Sequence, residues 1–126
     1  MSEKTSLNPV ERRQSQLRRD LRLAMTARRA DEASLLRCLL AAIDNAQAVP
    51  VGDLHERNKY AAPRFGDGTA EAPRLELSAG EIDRLLLRER QDRIDAADQC
   101  EQVGRSDRAT ALRAEAEIVK RYVEER

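Results

Sequence analysis

Aromatic residues are nearly missing from the chain: one Phe, two Tyr and no Trp in 126 residues. Modules that hold nucleic acid by stacking its bases need several exposed rings, so an RRM- or OB-type surface is excluded. Net charge is missing as well. Twenty-three Lys and Arg balance 23 Asp and Glu, and no global field draws the protein toward a polyanion or an anionic membrane. No apolar run approaches the roughly 18 residues of a membrane-spanning helix. Two cysteines, Cys38 and Cys100, behind a polar opening MSEKTSLNP suit a reducing cytoplasm rather than a disulfide framework. The single histidine, His55, stands beside Glu56 without the three or four ligands that a metal centre requires. A cofactor or metal is therefore not expected.

What remains is the composition of a helical bundle, 40% hydrophobic and 37% charged, rich in Ala, Leu, Arg and Glu. The longest apolar stretch is ASLLRCLLAAIDNAQAV, residues 33–49. At about 100° per residue, Leu35, Leu36, Leu39, Leu40, Ala42, Ile43 and Ala46 cover about half its circumference, wider than a surface helix needs. This stretch reads as the central helix.

Residues 1–8 read as a flexible tail in which Asn8, followed by Pro9, starts the first helix. That helix covers about 9–29, with Val10, Leu17, Leu21, Ala24 and Met25 on its inner face. Ala30–Glu32 form a tight connection with Asp31 as cap, and the second helix spans 32–49, ended by Pro50. Residues 50–77 hold three prolines and three glycines and read as a long loop with one irregular turn near Leu54–Lys59. Phe65-Gly66-Asp67-Gly68 within it is a turn without the lysine of a phosphate loop. Ser78-Ala79-Gly80-Glu81 is a capping box opening a helix over 79–103, whose inner residues are Ile82, Leu85, Leu86, Ala96, Ala97, Cys100 and Val103. Gly104 caps its end. A fourth helix over 106–124 buries Ala109, Leu112, Ala116, Val119 and Val123. The expected fold is all-α: one domain over 9–126, a four-helix bundle made of two antiparallel hairpins joined by a long loop.

Charge is distributed unevenly. Residues 11–29 carry seven arginines against Glu11 and Asp20, a local excess of five positive charges. Arg12, Arg18, Arg19, Arg22 and Arg29 share an arc of about 120° opposite the apolar face. Such a face is either solvated and paired with neighbouring acids or a stripe that binds phosphates. Glu89 and Arg93 fall inside the apolar stripe of the third helix, spaced to pair along it. They read either as a structural polar layer between helices or as the floor of a binding site. No nucleophile, base and orienting group come together in any recognisable pattern.

Two segments, LLRCLLAAIDNAQAVP and RIDAADQCEQVGRSDRATALRAEAEIVKRYV, together resemble the YqeY-like (GatB/YqeY) family. The most specific pieces are Arg93 with Asp95, the Gly104-Arg105 turn, and Glu115 and Glu117 ahead of Ile118 and Tyr122. Where that family usually has a lysine two residues before the arginine, this chain has Gln91. Its usual serine after the aspartate is Ala96. Tyr122-Val123 leads into Glu124 instead of the family's Tyr-Leu-Pro, so the chain resembles a short form without the C-terminal subdomain. The family shares its helical domain with the tail of the B subunit of the tRNA-dependent glutamine amidotransferase, where it helps to hold tRNA.

What the resemblance implies is a non-catalytic accessory module, with tRNA as the candidate partner. Its contacts would be Arg12, Arg18, Arg19, Arg22 and Arg29, with Arg93 and Arg105 as secondary ones. The alternative is a protein-interaction or self-associating module, suggested by Leu23, Leu87 and Ile118 outside the core stripes. More distant is a part in a glutamine-dependent carbon–nitrogen ligase system, the chemistry that a family label would attach.

Overall fold

The computed structural model describes residues 7–48 and 74–123. His55, the turn near Leu54–Lys59, Phe65–Gly68, most of the 50–77 loop and residues 1–6 lie outside them. Four helices account for nearly all of the described chain: α1 (Pro9–Thr26), α2 (Ala30–Gln47), α3 (Ala79–Gln102) and α4 (Ser106–Lys120). They form a compact helical bundle, and the densest contacts are α1 with α2 and α3 with α4. The sense of each pair is antiparallel. Gln14, early in α1, bonds Asp44 and Gln47 late in α2, while Arg93 in α3 reaches Glu115, and Arg113 reaches back to Asp98 and Glu101.

The starts of α1 and α3 follow from their caps. Asn8 Oδ1 accepts the Glu11 N–H at 2.8 Å and Glu11 accepts the Asn8 N–H, with Pro9 losing no needed donor. Ser78 and Glu81 repeat this exchange at α3. Both pairs then turn in the same way. In the first, the Arg29 N–H bonds Ala24 O and the Arg28 N–H bonds Met25 O; in the second, Arg105 bonds Cys100 O and Gly104 bonds Glu101 O. These are Schellman turns, with Arg28 at φ 61° and Gly104 at φ 79° in the left-handed position.

The first turn corrects the expected boundaries. α1 stops at Thr26 rather than near residue 29, because Arg28 adopts the left-handed backbone. α2 begins at Ala30, with Arg29 in place of Asp31 as the capping residue and without any side-chain cap. It ends at Gln47, where Ala48 turns extended and pairs with Arg74 in an isolated antiparallel bridge. α4 ends at Lys120, four residues earlier than the spacing suggests.

The main core draws on all four helices: Val10, Leu17 and Ala24; Ala33, Leu35, Leu36, Leu39 and Ile43; Ile82 and Leu86; Val119 with Tyr122 just after α4. Leu17, Leu36, Leu39 and Ile43 are fully buried, each side chain stabilising the fold by about 1.5–3 kcal/mol. A second, smaller cluster of Ala97, Ala109 and Leu112, with Ala96 and Cys100 against it, holds the distal ends of α3 and α4 together. Three expectations fail here. Met25 is 53% and Val103 73% exposed, since each sits at or beyond its helix's last inward-facing turn. Ile118, expected outside the core, is half-buried and packs against it.

Candidate nucleic-acid interface

Helix α1 is two-sided. Val10, Leu17 and Ala24, seven residues apart, are buried, and this seam turns the opposite arc outward. Arg12, Arg18, Arg19 and Arg22 are all exposed on that arc. Their engagement with acids is slight. Arg19 Nε is 3.4 Å from Asp20 Oδ1 with its side chain 63% exposed, and Arg12 Nη2 touches only the Leu7 carbonyl, at 3.5 Å. Among the described residues, neither Arg18 nor Arg22 makes an ion pair or hydrogen bond. Arg18 borders an open groove shared with Asp44, Arg74 and Glu76, where Arg74 Nη2 holds Asp44 at 3.1 Å.

The other expected contacts are occupied or remote. Arg29 bonds Glu32 at 3.2 Å, and Glu32 also receives Arg121 at 3.6 Å. Arg93 lies between α3 and α4 with its side chain 15% exposed. Its Nε reaches Glu115 at 3.1 Å and its Nη1 reaches Glu89 Oε1 at 3.0 Å and the Glu89 carbonyl at 2.9 Å. Burial disfavours the Arg93 charge, but hydrogen bonds to Glu89 and Glu115 outweigh it and hold the guanidinium more firmly protonated than usual. The Glu89–Arg93 pair is thus a three-member polar clamp, with Glu115 as the partner that helical spacing along α3 alone did not supply. Arg105 is exposed at the turn between α3 and α4, beyond the small Ala97–Leu112 cluster and apart from the α1 face.

One further basic feature was not legible in advance. Arg28 and Arg37 flank a shallow groove floored by Ala24, Met25, Ala30 and Ala33. Arg37 lies within the most apolar stretch of the chain, and the fold brings it to the same groove as Arg28. Among the described residues, no group of three or more His, Cys, Asp or Glu is placed to hold a metal ion, and Cys38 and Cys100 are free thiols. Among the described residues, no helix is long and apolar enough to cross a membrane. In comparisons with known proteins the chain matches no family model, no curated protein and no solved structure.

Proposed function

We propose that the chain is a helical binding module of the YqeY-like type that holds RNA, tRNA foremost, by its phosphates. The observation that carries this reading is the row of exposed guanidiniums at Arg12, Arg18, Arg19 and Arg22 on one helix, of which Arg18 and Arg22 pair with no acid among the described residues. Phosphate contacts of this kind position a nucleic acid without reading its sequence. Arg29 and Arg93, engaged by carboxylates, are left out of the interface. A part in a glutamine-dependent carbon–nitrogen ligase system would, on this reading, be that of a tRNA holder. The test is binding of bulk tRNA against salt. Four phosphate contacts give a log–log slope of about −3.6 on a duplex, and Arg12→Glu/Arg19→Glu/Arg22→Glu abolishes saturable binding. Equal affinity of the wild type and this triple variant at low salt would end the proposal.

Exposed Leu23 (56%), Leu87 (45%) and Val103 favour a second reading, a protein-interaction or self-associating module. Ile118→Lys would report on stability, because Ile118 packs on the core; Leu23→Lys is the informative change. Light scattering that shows a monomer before and after it removes the self-association branch.

A further inference from the structure

The α1 cations form two rows. At about 100° per residue, Arg12 and Arg19 fall within roughly 20° of each other, and Arg18 and Arg22 within roughly 40°. The rows lie about a quarter-turn apart, so their guanidiniums stand on the order of 10 Å apart across the helix. Along the axis Arg12 and Arg19 are separated by about 10 Å, and Arg18 and Arg22 by about 6 Å. Both rows are exposed over their length.

Among the described residues no aromatic stacking platform accompanies them. The only aromatic side chain among the described residues is Tyr122, 2% exposed in the core. A single strand bound here would present bases that find no ring among the described residues, and it would be ordered without the aromatic stacking that normally compensates. A double helix presents its phosphates already ordered, in two lines rather than one. The deep, narrow major groove of an A-form duplex does not admit an α-helix, whereas its wide, shallow minor groove is bordered by both backbones.

From this we infer that the ligand of the α1 face is double-helical RNA, with α1 lying along one minor groove: Arg12 and Arg19 on one backbone, Arg18 and Arg22 on the other. This rests on the RNA-binding reading above and specifies its partner as a paired arm. Sequence is not read at this surface, and pairing is.

The experiment compares three probes at low salt: an RNA duplex of about 16 base pairs, oligouridine with the same number of phosphates, and a DNA duplex of the RNA duplex's sequence. The expected result is RNA duplex affinity at least about tenfold above either competitor. Arg12→Glu/Arg19→Glu and Arg18→Glu/Arg22→Glu each lower it by more than about tenfold and flatten the salt slope by nearly two. Circular dichroism confirms that both variants keep their helices. Oligouridine or duplex DNA binding as tightly as duplex RNA overturns the inference, as does a row whose reversal leaves affinity unchanged. In those cases tRNA still binds and the broader reading stands. Silence from all three probes together with bulk tRNA overturns both.

Discussion

Tyr122 Oη donates a 2.6 Å hydrogen bond to Asp20 Oδ2, joining residues 102 positions apart in sequence. The ring is 2% exposed, and the bond ties the end of α4 to the middle of α1, where the basic face is displayed. Tyr122→Phe keeps the ring and removes the donor to Asp20, which costs about 1–2 kcal/mol. The pH profile gives a sharper test. Burial, then the bond to Asp20, raises the Tyr122 pKa above its ordinary value of 10. Above pH 10 the unfolded chain loses this proton while the folded chain keeps it, so stability falls as pH rises. The melting temperature of the wild type should drop between pH 10 and pH 11 more steeply than that of Tyr122→Phe.

The two turns make a matched pair for mutation. Arg28 at φ 61° strains a side-chain-bearing residue, whereas Gly104 at φ 79° does not. Arg28→Gly is expected to stabilise by about 0.5–1 kcal/mol and Gly104→Ala to destabilise by about 1 kcal/mol. A methyl at position 104 meets nothing within 4 Å, so the loss is one of backbone conformation alone. Chemical denaturation of both variants checks the opposite signs; a stabilised Gly104→Ala would refute this account of the turns.

The α3 cap adds an acid-sensitive element. The Ser78 backbone N–H, then its side chain, holds the Glu81 carboxyl below its usual pKa. Such a group stabilises the fold above its unfolded value and loses that contribution as pH falls through the folded one. Ser78→Ala should cost about 1 kcal/mol at neutral pH. Glu81→Gln should show a flatter decline of melting temperature below pH 4.5.

The elements whose ends carry side-chain signals were the ones that the sequence made readable. Asn8-Pro9, Ser78 with Glu81, and Gly104 each mark a boundary through a local hydrogen bond or a permitted φ, and each boundary stands within a residue. The α1–α2 turn has no such signal. Arginine at a left-handed position is held by the rest of the fold, and nothing in Thr26-Ala27-Arg28-Arg29 announces it. Burial at Ile118 and exposure at Met25 were misplaced for a related reason. Helical periodicity assigns one inner face per helix, yet α4 ends against both α3 and the α1–α2 layer. The arginine arc was legible as an arc. Which of its members acids had already taken was not, since Arg29 meets Glu32 just past the α1–α2 turn, whose course the sequence does not mark.

That division among arginines separates stability from binding. Arg93 serves two half-buried carboxylates, so Arg93→Met leaves Glu89 and Glu115 with uncompensated charge. The loss is about 2–3 kcal/mol, lower than for a fully buried pair because both acids retain some solvent. RNA affinity of the folded variant stays at the wild-type level. Arg18→Glu/Arg22→Glu does the reverse: both side chains are exposed, their replacement shifts stability by no more than about 0.5 kcal/mol, and RNA affinity falls. Thermal denaturation and tRNA binding on the same two proteins decide the matter. If Arg93→Met lost affinity in proportion to Arg18→Glu/Arg22→Glu, the clamp would belong to the interface, and the α1 face would not be its sole seat.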